Sequence, residues 1–190
     1  MKKIKKFKIN FRPRDIARML KTTAQLTEVT PQIEEAVLRE IARITPLVAT
    51  AAMYETQAKD KFPAEMVAAP PDNWVAASAY IVTIGEGLEG DIRAARQRDE
   101  TMITNILHAI AVEGLDQSAN FVARLIADEA KDQDCEISRQ QVIPSAAWTA
   151  LFTMVPGDKI GVTLAGPDAF HPLYSSCGLV YWQPIKKRRK

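Results

Sequence analysis

The sequence predicts an α+β domain, with helices packed on an antiparallel or mixed sheet. Three observations carry this. A run from Asp99 or Thr101 to about Lys131 places apolar residues on several sides of a helix, which marks a central element packed from more than one direction. Residues 74–84 are extended in character around Tyr80, Ile81, Val82 and Ile84. Residues 160–164 and 178–182 read as two further strands near the C-terminus. A chain of 190 residues, 47% hydrophobic, can bury one substantial core, so residues 9–185 are expected to form a single domain.

The elements follow in order. Residues 4–11 read as an opening strand, with Ile4, Phe7 and Ile9 as its apolar positions. After Pro13, residues 14–21 suit a short helix with Ile16, Met19 and Leu20 on one side. Thr30-Pro31 is a helix start, with a hydroxyl at the cap and proline at the first helical position. That helix carries Ile33, Val37, Leu38, Ile41 and Ile44 on one stripe and stops before Pro46. Residues 48–54 are a weaker strand, and residues 63–73, with three prolines, are a loop or edge segment. Gly85 and Gly87 punctuate the chain before a helix at 86–98, whose basic end suits the negative pole of its dipole. Gly114 and Ala119 mark a close contact or a kink in the long helix. Residues 144–154 form the last helix, anchored by Trp148, Leu151 and Phe152.

Charge is concentrated at the two ends. Five lysines lie within residues 2–8 and five basic residues close the chain at 186–190. The body between them holds 15 basic and 23 acidic residues, about −8 in all. A nucleic-acid-binding face places its charge on the fold, so nucleic acid is not an expected partner. No apolar run reaches the roughly 18–20 residues of a membrane span, and the basic N-terminus lacks the apolar core of a signal peptide. Cys135 and Cys177 are far apart, with no metal-ligand spacing, which reads as reduced thiols in a cytoplasmic protein.

The candidate functional residues gather between the last two predicted strands. Asp168, His171, Tyr174, Ser175, Ser176 and Cys177 fall in one polar segment with two prolines. Ser175 and Ser176 beside Gly178 could let a ligand approach the backbone, or could form a tight turn into the strand. Tyr174 could stack on a flat ligand or cap the core. His171 could transfer protons or ligate a metal, or be a surface histidine, and no second histidine stands at metal-ligand spacing. The chain has no P-loop, no G-x-G-x-x-G and no nucleophile–base–acid set, so no motif argues for catalysis by this chain alone.

Residues 159–182, KIGVTLAGPDAFHPLYSSCGLVYW, resemble the C-terminal part of the activation-domain family of cobalamin-dependent methionine synthase. There an "IGV-L" strand leads through a proline-containing loop to an S-x-S-G segment. Its counterparts here are Ile160, Gly161, Val162, Leu164, Pro172, Ser175, Cys177 and Gly178. Residues 79–85, AYIVTIG, are similar to the family's A-V-T-I/L-G strand, and residues 101–131 stand where its long helix stands. The resemblance implies a long central helix and further helices on a curved, mainly antiparallel sheet. It also implies binding of S-adenosylmethionine beside an oxidised cobalamin, with free-standing relatives serving corrinoid methyltransferase systems. The family's R-x-x-P-G-Y loop should fall at residues 135–143, CEISRQQVI, which contain no Pro-Gly-Tyr and only one arginine, Arg139.

The expectation is therefore an accessory protein that docks on a corrinoid-carrying partner or methyltransferase. Arg139, Tyr174, Ser175, Ser176, Gly178 and His171 are its candidate binding residues; its cofactor stays open, with S-adenosylmethionine and a partner-borne corrinoid as the candidates. The alternative is a relative that has lost the methyl-donor site and binds another small molecule or a protein. A homo-oligomer stays open.

Overall fold

The computed structural model describes residues 1–185; the basic tail at 186–190 lies outside the described residues. Five strands form one antiparallel sheet in the order β1-β2-β3-β7-β4. They are β1 (Lys2–Lys5), β2 (Ala51–Ala58), β3 (Ala76–Thr83), β4 (Cys135–Ile137) and β7 (Ser175–Pro184). Every pairing in it is antiparallel, which settles the choice between an antiparallel and a mixed sheet. The helices are α1 (Pro13–Thr23), α2 (Pro31–Ile44), α3 (Gly87–Gln97), α4 (Thr101–Lys131) and α5 (Trp148–Met154). The long central helix on a curved antiparallel sheet is the architecture expected. Among the described residues, no helix is long and apolar enough to cross a membrane.

Alternation along the strands builds two cores. On one face, Met53, Ile81, Leu179 and Tyr181 pack with Leu151, Val155 and Val162, under α5 and the loops around it. On the other, Tyr54, Tyr80, Val82, Val180 and Trp182 meet Val122, Ile126 and Ala130 from the second half of α4. Burying such large side chains contributes about 1.5–3 kcal/mol each before entropy is counted. The first half of α4 continues past the sheet into a helical core with α1, α2 and α3, where Ile106, Leu107 and Ile110 are fully enclosed. This double duty explains the apolar residues on several sides of α4. Gly114 sits between the two halves, where a Cβ would meet Phe11, Ile84 and Ile9 at 3.2–3.4 Å, so the glycine marks a close contact.

Several boundaries differ from expectation. The first strand ends at Lys5 because Lys6 takes a positive φ of 59°; Phe7 then stacks on Phe121 at 4.4 Å between ring centres. Pro31 does begin α2, but the Thr30 hydroxyl makes no capping bond. Leu38, placed on the buried stripe, is exposed. The last predicted helix begins as a 3-10 turn at Ser145–Ala147. The strand expected at 160–164 is a 3-10 turn, Gly157–Ile160, closed by Gly161 at φ +80°, followed by β5 (Thr163–Gly166). The polar segment after it is no open loop: β6 (Ala169–His171) pairs with β5 as a separate hairpin. β7 starts at Ser175, three residues before its predicted start.

Candidate functional site

The last sequence-predicted residues are divided among three settings. Ser175 is buried in β7 opposite Thr83 of β3, and its hydroxyl donates to Thr83 Oγ1 at 2.9 Å. Thr83 Oγ1 donates in turn to the Tyr174 carbonyl and accepts from the Gly85 amide, so this hydroxyl cluster is internally satisfied. Tyr174 is buried in the helical core, and its hydroxyl shares a 2.9 Å hydrogen bond with His108 Nδ1. Burial raises the Tyr174 phenol above its ordinary range. Ser176 is partly exposed on the strand between Ser175 and Cys177. His171 is exposed at the end of the hairpin, with Nε2 3.9 Å from Glu86. These residues are neighbours in sequence, but the β7 pleat and the hairpin turn them to different sides.

Gly178 and Arg139 lead to a different place. Gly178 pairs with Tyr80 of β3. A Cβ there would fall 2.4 Å from the Tyr80 hydroxyl and 3.0 Å from the Gln141 carbonyl. The missing side chain lets the Tyr80 ring lie across β7. Its hydroxyl reaches the next segment and donates to Gln140 Oε1 at 2.5 Å. Gln140 Nε2 donates to Asn120 Oδ1 on α4 at 2.9 Å. Arg139, exposed, is the residue beside Gln140.

Asn120 belongs to a groove of about 430 Å³ between α4, β4 and the segment before α1. Arg12, Gln117, Asn120, Ala123, Arg124, Ala127 and Ile137 line it. The α4 members recur at three- and four-residue spacing, so they form one helical face. Beneath Arg12 lies Glu113, only 1% exposed, which accepts from Arg12 Nε at 2.8 Å and from Gln117 Nε2 at 2.8 Å. A buried carboxylate needs such partners, since an unpaired one would cost several kcal/mol. Arg12 also contacts Asp15 at 3.0 Å. The hydrogen bond to Glu113 and the surrounding carboxylates hold the Arg12 guanidinium firmly protonated. Burial, and then the charge of Glu113, raise the Asp116 carboxyl above its usual range.

The groove thus offers guanidinium groups, two side-chain amides and an apolar floor. That set suits a small ligand with an anionic end and a flat body. Its lining residues stand in a helix and an N-terminal segment with no recognisable motif, and sequence reading missed them. The one available signal was a glutamate, Glu113, among the apolar positions of the long helix α4. Among the described residues, no three His, Cys, Asp or Glu side chains are grouped to hold a metal ion.

No protein-family model matches the chain, and no curated protein matches it. Among solved structures it is similar to the crystal structure of the MetH reactivation domain bound to AdoHcy. The TM-score is 0.66 at 9% sequence identity, over 99% of this chain and 80% of that chain. At that identity the likeness is one of fold, and it spans essentially the whole chain: this protein has the fold of the MetH reactivation domain.

Proposed function

We propose that the protein is an accessory domain of the reactivation type, serving a cobalamin-dependent methyltransferase, and that the groove beside α4 takes an S-adenosyl ligand. The observation that carries this reading is the fold shared over 99% of the chain with a domain whose crystal structure holds AdoHcy. The groove supplies fitting chemistry. Its volume of about 430 Å³ lies within the usual range of small-ligand sites, roughly 300–1,000 Å³. Arg124 would face the amino-acid carboxylate, with Arg12 held beside it by Glu113 and Asp15. Asn120 and Gln117 would bond polar edges of the ligand, and Ala123, Ala127 and Ile137 would pack on its flat parts. Arg139 would close the mouth from the β4 side.

A methyl donor bound there would carry the transferable group, and a corrinoid would belong to the partner, because the groove is sized for a small ligand. This chain's residues would bind, orient and exclude water. Ser175 and Ser176 would hold β7 in place beside Gly178, Tyr174 would anchor its start to α4 through His108, and His171 would stay exposed on the hairpin.

A second reading has its own support: a relative that kept the fold without the methyl-donor site. The 135–143 segment lacks Pro-Gly-Tyr and is fastened to β7 at Gln141, whose amide and carbonyl both bond Leu179 at 2.9 Å. Tyr80 covers Gly178, where a backbone approach would otherwise be open.

Calorimetric titration with S-adenosylmethionine and AdoHcy separates the two. Saturable micromolar binding, weakened in Arg124→Ala and unchanged in Ser175→Ala, is expected under the first reading. Absence of heat with folded protein would leave the second.

A further inference from the structure

The segment between β4 and α5 is fastened to β7 at two points. The Ser138 amide donates to the Tyr181 carbonyl at 2.8 Å, and the Ser138 hydroxyl accepts from the Tyr181 amide at 3.0 Å. Gln141 exchanges two backbone hydrogen bonds with Leu179. The sheet edge therefore skips from Ser138 to Gln141, and residues 139 and 140 form an excursion between two anchors. No ladder bond fixes that excursion. The Ser138 hydroxyl donates to the Arg139 carbonyl at 2.8 Å, and the tie to the rest of the fold is the Gln140 side chain, held between Tyr80 on β3 and Asn120 on α4.

The tie is built at some cost to the sheet. A central strand gives up a side chain at Gly178, and Tyr80 spans the strand so that its hydroxyl emerges beside the edge. Tyr80 is 3% exposed, and burial raises its phenol well above the ordinary range, which favours the neutral form that donates to Gln140. Phenylalanine would fill the same core space. The hydroxyl is thus the part of the side chain that the packing on α4 does not require.

We propose that Tyr80 is a positioning residue: through Gln140 it holds the Arg139–Gln140 excursion against Asn120 and so sets the groove's shape on the β4 side. The consequence for ligand affinity rests on the S-adenosyl reading above. A hydroxyl that never touches ligand then governs how well the groove holds one.

The test pairs Tyr80→Phe and Gln140→Ala, singly and together, with two readouts. The first is ¹⁵N relaxation of the 139 and 140 amides in unliganded protein. Order parameters near the rigid value of about 0.85 are expected to fall toward 0.6 or below in each variant. The second is AdoHcy affinity by calorimetry, expected to drop about five- to tenfold in each single variant and no further in the double. A merely structural tyrosine would lower the denaturation midpoint without this non-additive loss of affinity. Unchanged relaxation in Tyr80→Phe overturns the proposal. Loosened residues with unchanged affinity also overturn it as a positioning role. Failure of the wild-type protein to bind AdoHcy removes the S-adenosyl reading instead, and relaxation alone then decides whether the tie exists.

Discussion

The 174–178 segment, at the start of β7, and the 138–141 segment, which follows β4 along the side of β7, differ in an instructive way. The first is rich in hydroxyls, yet Ser175 and Tyr174 spend theirs on Thr83 and His108 inside the protein. The second is plain in composition, yet Gln140 ties it to Asn120, which lines the groove beside α4. A hydroxyl has one proton to donate and a central strand commits it, whereas the amides of Gln117 and Asn120 keep bonding capacity beyond their protein contacts. Position relative to the sheet edge, rather than residue type, distinguishes the two.

The sharpest way to break this contrast is Gly178→Ala, since Gly178 belongs to the first segment and supports the second. The new Cβ would meet the Tyr80 hydroxyl at 2.4 Å, and Tyr80 cannot retreat because it is enclosed beneath α4. The expected loss is about 2 kcal/mol, a fall in Tm of about 4–8 °C by calorimetric scan. Replacing a side chain from each segment comes next. Ser175→Ala should lower stability by about 1 kcal/mol in urea denaturation and leave ligand affinity unchanged. Asn120→Ala should do the reverse, with stability within about 0.5 kcal/mol of wild type and a weaker groove. Equal effects of the two on affinity would erase the distinction.

The smallest effect at neutral pH, felt only in alkali, is a pH dependence. Burial pushes the Cys177 thiol up to about 12, from a model-compound value of 9.0. The unfolded thiol then ionises before the folded one. Its contribution to stability is complete below pH 9 and is lost as pH rises from 9 toward 12. Cys177→Ala should flatten the alkaline limb of a denaturation-against-pH curve, and native protein should resist thiol alkylation at pH 8.

Much of the fold was legible because it depends on periodicity. The α4 pattern, Thr30-Pro31 and the 79–85 strand each carry local signals, and each element lies close to its expected place. The hairpin at 163–171 was not legible, since β5 and β6 are four and three residues long with weak alternation. The groove was hidden for a different reason. Arg12 and Glu113 meet across 101 positions of sequence, and neither has a neighbour that announces the pairing. Gly178 was noticed for its backbone, but its partner is a tyrosine on another strand, which no local pattern can name.

The strand order has a consequence for how the protein is made. β7, which ends at Pro184, lies between β3 and β4, so the middle of the sheet is supplied last in the order of synthesis. Until then β3, with Tyr80, Ile81 and Val82, has no partner on that side. A ribosome-bound chain would carry an open apolar edge for nearly a hundred residues of elongation. Completion of the domain is therefore a late, long-range event, which topology makes slow. Shielding that edge on the nascent chain is the step at which a chaperone would matter most.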